Sequence, residues 1–378
     1  MSDTTTNPVA NTAGLRGATA GDTALCTVGA SGSGLTYRGY EVTDLAEHCN
    51  FEEVAYLLLN GELPDRKQLD AFVAAISNGT ELPAAVIRVL EALPASTNPM
   101  DVLRTACAAL GCIETENSFA EQYTASIRLL GCLPSMLLYW YHYSHNGKRL
   151  LCENDNPSIA GRFLQWLHGR QPDPDHQRCL DISLILYAEH EFNASTFTAR
   201  VICSTLSDLH SSVAGAIGAL RGPLHGGANE AACDMLAQWN SPEQAESELL
   251  SMLQRKDKVM GFGHAVYKTS DPRNAVIKSW SKKLAALAGD SSLYSISERV
   301  EEVMWREKKL FANADFYHAS AYTFMHIPTK LFTPIFVCSR VAGWCAHVFE
   351  QRNNNRIIRP SANYIGPELR SVTPIAMR

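Results

Sequence analysis

RGPLHGGANE, residues 221–230, divides this chain in two. Gly222 and Pro223 stop any helix arriving from the N-terminal side, and Gly226 and Gly227 let backbone or ligand approach closely. Helical spacing then resumes in ANEAACDMLAQW, which places His225 just before a helix N-terminus. The positive end of the helix dipole disfavours a second positive charge there, so the imidazole is predicted to be a neutral hydrogen-bond donor. Read outward, the break at residues 221–227 is a hinge, and a second lies near Pro328 in HIPTKLFTP. Together they set off residues 227–326 as a small helical domain inserted into a larger one, residues 23–226 plus 327–378. A cleft between the two is the expected ligand site.

The remaining text is dominated by helix signals. Asn50 followed by Glu53 reads as a capping box for FEEVAYLLL, which Asn60-Gly61 and Pro64 stop. Asn98-Pro99 opens another helix, and residues 123–145 form a long one with an expected kink at Pro134. After SIAGRFLQWL and the hydrophilic break HGRQPDPDHQR, residues 180–202 read as a single helix. One β-hairpin signal stands apart, ALCTV and LTYRGY around GASGSG. Strands do not alternate with helices, so the fold class is all-α with a small N-terminal β-hairpin. Residues 1–22 are small and polar without a hydrophobic signal core, and are expected to form a disordered tail.

Composition narrows the function classes. With 378 residues, 46% hydrophobic, 19% charged and a net charge of -6, the chain reads as a globular protein that binds neither nucleic acid nor a membrane surface. Eleven cysteines without a C-x-x-C pair, with Cys107, Cys203, Cys338 and Cys345 inside apolar helical text, indicate reduced thiols and a cytoplasmic location. No metal site is expected: HEFNAS lacks the second histidine of a zinc-protease helix, and YHYSHNG reads as a helix end. The longest nearly uncharged run, residues 331–349, carries Arg340, His347, a proline and a glycine, and reads as a buried core helix.

Residues 255–283 hold eight Lys/Arg against two Asp, a basic segment in an acidic protein and a candidate polyanion site. His264 lies between glycines in its loop, and Asp271-Pro272 opens a helix whose first turn contains Arg273. A cation there opposes the dipole, and a bound carboxylate would remove that penalty. Arg340 shares a helix face with Phe336, Val337, Val341, Trp344 and Val348, so either an internal carboxylate or a ligand must meet it. Asp315 begins a helical pattern; it is either a cap or a carboxylate base whose proton affinity Phe316 and Tyr317 would raise. Arg359 sits in an extended C-terminal tail able to reach across a dimer. Each residue alone has a structural reading: a packed histidine, a plain cap, a solvated basic face. Their joint occurrence matches a reaction that removes a proton and handles dicarboxylates.

GPLHGGANE, GFGHAVYKTSDPR and NADF, in that order, resemble the citrate synthase family. LLYWYHYSHNG and LYAEHEFNASTF bring the chain nearer its bacterial 2-methylcitrate synthase branch. The resemblance covers nearly everything after the N-terminal tail. It implies a two-domain, almost all-helical homodimer, or a higher assembly built on it, whose small domain closes over the active site. It also implies a catalytic trio of His225, His264 and Asp315; oxaloacetate held by His190, Arg273, Arg340 and, from the partner subunit, Arg359; and a coenzyme A loop of Val259, Met260, Gly261, Phe262 and Gly263. No cofactor is implied, because the coenzyme A thioester is a substrate. Propionyl-CoA is the leading acyl donor and acetyl-CoA the alternative. A helical binding protein that has lost turnover is the reading from another class, and the complete trio argues against it.

Overall fold

The computed structural model describes residue 15 and residues 18–29, 34–150 and 156–378. Among these, sixteen α-helices and one small sheet are present. The sheet joins β1 (Cys26–Val28), β2 (Leu35–Tyr37) and β3 (Tyr40–Glu41) in antiparallel order, with Cys26 opposite Tyr37 and Thr36 opposite Glu41. It contains the expected hairpin and adds a two-residue third strand. Turn residues 30–33, and most of the tail expected over 1–22, lie outside the described residues.

The first helices are α1 (Val42–His48), α2 (Phe51–Asn60), α3 (Arg66–Asn78), α4 (Ala84–Ala92) and α5 (Pro99–Ile113). After them come α6 (Gln122–Asn146), α7 (Ile159–His168), α8 (Pro174–Tyr187), α9 (Ala194–Ser204) and α10 (Leu209–Leu220). Their ends follow the capping signals. Asn50 and Glu53 form a reciprocal capping box, Gly61 ends α2 in the left-handed region at φ 96°, and Asn98 caps α5 ahead of Pro99. The helix α6 runs through Pro134 and stops at Gly147, so YHYSHNG is a helix end.

The expected single helix over 180–202 is in fact two. Apolar spacing continues through the stretch, but α8 ends at Tyr187 and Asn193 caps α9 by accepting from the Thr196 amide. Glu191 between them sits at φ 54°. The cap signal Asn193-Ala194-Ser195-Thr196 marks a new start, and periodicity across it hides the break. His190 lies in this interruption.

The chain closes with α11 (Ala228–Leu236), α12 (Pro242–Arg255), α13 (Pro272–Ala288), α14 (Ser292–Lys308), α15 (Ala314–Phe324) and α16 (Phe332–Asn353). In this group α11 and α13 pack on α15, and α12 packs on α14. The core is organised around α16, which touches α2, α6, α8, α9 and α10 and is buried from Phe332 to Val348. By length and composition it is apolar enough to cross a membrane, but its apolar window is wholly buried inside the protein. Cys107, Cys203, Cys338 and Cys345 are buried thiols as their apolar context predicted.

Candidate active site

A cavity of about 970 Å³ opens where the α8–α9 break, the turn before α11, the loop before α13 and the faces of α15 and α16 meet. His190, His225, His264, Arg273, Asp315 and Arg340 all line it. These residues span 151 positions of sequence. Five chain segments meet to assemble them.

His225 lies in the turn between α10 and α11, and Gly227 at φ 80° makes the entry to α11. The helix N-terminus that acts on its ring is a different one from that expected. The Ser195 amide, in the first turn of α9, donates to His225 Nε2 at 3.1 Å, with Ser195 Oγ 2.8 Å away. An N–H aimed at Nε2 fixes that nitrogen as acceptor, so the ring's proton sits on Nδ1. Burial, reinforced by the Arg340 charge, lowers the His225 pKa to about 4. His225 is a neutral donor at ordinary pH.

His264 reaches the same protonation state in a loop. The amides of Val266 and Tyr267 donate to its Nδ1 at 3.1 and 3.3 Å, leaving the proton on Nε2. Burial and then Arg273 lower its pKa to about 4. Gly261 and Gly263, at φ 86° and 71°, let this loop pair with the segment entering α15. The Gly263 amide donates to the Phe311 carbonyl, Asn313 donates from its amide to the Gly261 carbonyl, and a β-bridge joins Phe262 and Ala312. Of the five loop residues expected at coenzyme A, Met260 and Gly263 line the cavity. Val259, Gly261 and Phe262 do not line it, and the Phe262 ring lies 4.6 Å from that of Phe316.

The two arginines solve their burial differently. Asp271 caps α13 and takes a bidentate pair from Arg273, Nε to Oδ1 at 2.9 Å and Nη2 to Oδ2 at 2.8 Å. Burial alone would raise the Asp271 pKa, and the Arg273 guanidinium outweighs it and holds the carboxyl below its usual range. An internal carboxylate therefore already meets Arg273. Arg340 is 1% exposed, donates from Nε to the Tyr187 carbonyl at 2.6 Å and stacks over Phe336, yet no ion pair to it occurs among the described residues. Glu189 is the carboxylate near it, and that side chain binds His347 Nε2 at 2.9 Å. Arg340 thus has backbone and aromatic partners and no carboxylate in direct contact among the described residues. His190 contacts the Tyr267 hydroxyl at 3.0 Å, and burial, with Arg273, His264 and Arg340 around it, keeps its pKa well below the usual value.

Asp315 occupies the first turn of α15, but Asn313 is the cap, accepting from the Asp315 amide at 3.0 Å. The carboxylate is thus free of capping and faces the cavity. Burial raises its pKa, while the Tyr187 hydroxyl and Arg273 pull it part of the way back. A half-desolvated carboxylate opposite neutral imidazole donors and guanidinium groups is suited to removing a carbon-bound proton and holding the oxyanion that forms.

One sequence expectation is revised. The basic segment is not a uniform anion-binding face: Arg255 pairs with Asp257 two residues on, and Lys278 pairs with Glu301 and Lys283 with Asp175 because α13 packs beside α14 and α8. Lys258 borders the cavity. Arg359 is exposed on the tail and does not line the cavity of its own chain. Sequence reading also missed Tyr187, Tyr267 and Ser195, whose hydrogen bonds orient Asp315, His190 and His225. Tyr187 carried a signal, a phenol closing an apolar helix, since a buried hydroxyl needs a partner.

Residues 14–361 match the family model described as citrate synthase, C-terminal domain. The 2-methylcitrate synthase of Shewanella oneidensis is 61% identical over 97% of this chain and 98% of its own length. Citrate synthase 2 of Bacillus subtilis is 42% identical over 91% and 93%. Among solved structures, citrate synthase from Thermoplasma acidophilum, in a ternary complex with carboxymethyl coenzyme A and oxaloacetate, superposes with a TM-score of 0.89 at 32% identity, covering 97% of this chain and 98% of that one. The chain belongs to the citrate synthase family, whose members are condensing acyltransferases.

Proposed function

We propose that this enzyme condenses propionyl-CoA with oxaloacetate and water to give 2-methylcitrate and free coenzyme A, and accepts acetyl-CoA as a poorer donor. Asp315 takes the α-proton of the thioester while the Nδ1–H of His225 donates to the thioester oxygen, where negative charge develops. The Nε2–H of His264 donates to the ketone oxygen of oxaloacetate. His190, Arg273 and Arg340 hold its carboxylates, and Arg359 of the partner subunit completes the set. The enolate carbon attacks the ketone carbon, and hydrolysis of the resulting thioester releases coenzyme A. Backbone and side chains of the 259–263 loop receive the coenzyme A thioester, which is consumed as a substrate, and no cofactor is required.

One observation carries the chemistry: a raised-pKa carboxylate, two neutral histidines with their protons assigned, and a buried arginine without an ion pair among the described residues all face one cavity. The acyl choice is supported by the 61% identity to the Shewanella enzyme. Closure of a small domain, residues 227–326, over the large one would shield the enolate from water. We place the enzyme in the cytoplasm, as a homodimer, in propionate catabolism.

The test compares kcat/KM for propionyl-CoA and acetyl-CoA at saturating oxaloacetate, read as release of coenzyme A thiol. A pocket that fits the terminal methyl gains about 0.8 kcal/mol, a several-fold preference for propionyl-CoA. A pocket too small for it loses about 1–3 kcal/mol and reverses the sign. Higher kcat/KM with acetyl-CoA would make the enzyme a citrate synthase, and no thiol release with either would make it a binding protein.

A further inference from the structure

Tyr187, the last residue of α8, is 1% exposed and hydrogen-bonded at both ends. Its hydroxyl donates to Asp315 Oδ1 at 2.6 Å, and its backbone carbonyl accepts from Arg340 Nε at 2.6 Å. The ring is clamped between two others, 4.2 Å from the His318 ring and 4.1 Å from that of Phe336. A hydroxyl on a ring so held has one direction to point.

We propose that Tyr187 is a positioning residue for the carboxylate of Asp315: it fixes the rotamer, occupies Oδ1 and leaves Oδ2 as the atom that takes the substrate's proton. This deepens the proposed function and rests on Asp315 being its base. The tyrosine keeps its own proton throughout, because burial and the Asp315 charge beside it hold the phenol well above its ordinary pKa. The proton removed from carbon therefore resides on Asp315 and is not relayed to the phenol.

The bond also sets the basicity. The groups acting on Asp315 are Tyr187 from α8, Asp271 and Arg273 at the start of α13, and Arg340 from α16. His318, one turn further along α15, donates from Nδ1 to the Ala314 carbonyl and stays neutral, its pKa lowered to about 3. Asp271 is neutralised by Arg273, so among the described residues Tyr187 is the one uncharged donor touching the carboxylate and opposing the effect of burial. A hydrogen bond to the charged form favours that form and lowers the pKa. Without it the base would still be held above its ordinary range and would be protonated at a higher pH.

The experiment is Tyr187→Phe, which keeps the ring stack and removes one oxygen, assayed as the pH dependence of kcat/KM for propionyl-CoA at saturating oxaloacetate. The acid limb is expected to move up by about 1 pH unit, with plateau kcat about tenfold lower and the KM for oxaloacetate within about twofold. An acid limb that stays in place overturns the inference whatever happens to kcat, because loosened packing slows turnover without changing the base's pKa. Should Tyr187→Phe fail to fold, replacement of Tyr187 alone by 3-fluorotyrosine decides: a more acidic phenol is a stronger donor, so the limb must move down, and an unmoved limb again overturns it. Asp315→Asn is assayed alongside. Retained turnover there removes the base assignment itself, whereas loss of turnover there with an unmoved limb in the tyrosine variant removes this inference alone.

Discussion

His225 and His264 arrive at one protonation state by unlike routes, the first against the amide of a helix N-terminus and the second against two loop amides. In both, burial plus a neighbouring arginine holds the pKa near 4, so the neutral donor persists as pH falls well below neutrality. Asp315 is the complementary case, a carboxyl raised by burial that must be ionised to act. Activity should therefore fail at acid pH as Asp315 takes up a proton, at a pH above the range of an ordinary aspartate. Asp315→Asn keeps the shape and removes the base: kcat should fall about 10²- to 10⁴-fold, with oxaloacetate affinity by calorimetry little changed. Near-normal kcat would exclude the role. At this scale the sequence announced the residues that interrupt regular structure, His225 and His264 among glycines and Asp315 at a helix start. For Tyr187 it offered only a phenol closing an apolar helix and not the partner, which lies 128 positions away.

Among the elements, Asp271 links two helices. It caps α13, binds Arg273, and accepts from the Ala314 amide at 3.1 Å at the start of α15, so one carboxylate fixes the approach of the arginine to the base. Asp271→Asn retains the cap and leaves the buried guanidinium without a counter-charge, which should cost about 3 kcal/mol or more and raise the KM for oxaloacetate. Because the folded-state pKa of Asp271 is depressed, its stabilisation is complete above the unfolded-state value and is lost as pH falls through the folded one. Denaturation of both proteins at pH 7 and in strong acid checks this: the gap should be wide at pH 7 and narrow at the acid end. Legibility at this scale depended on punctuation. Asp271-Pro272 and Asn98-Pro99 marked true starts, while the break between α8 and α9 was masked by apolar periodicity on both sides, although Asn193 signalled it. Which carboxylate would meet which arginine depends on helix packing and could not be read along the chain.

For the molecule as a whole, the tail beyond α16 stands out, because it is exposed from residue 359 to its end. Tyr364, Ile365, Leu369, Val372, Ile375 and Met377 are each at least 75% exposed, a concentration of apolar side chains that the proposed dimer would account for. Arg359 lies at the root of this segment and is exposed, while the cavity of the same chain is lined by Arg273 and Arg340. A dimer in which each tail embraces the other subunit would bury the apolar residues and deliver a third arginine to the partner's site. The expected result is functional complementation. Arg359→Ala and His264→Ala homodimers should each be nearly inactive. In a heterodimer the Arg359→Ala chain keeps its own His264 and receives Arg359 from its partner, so one of the two sites is whole. With free exchange of equal amounts, half the dimers are mixed, and activity should recover to about one quarter of the wild-type value. Subunit exchange is verified by co-purification of differently tagged chains. Exchange without recovery would place Arg359 in its own subunit's site and leave the exposed tail to assembly alone.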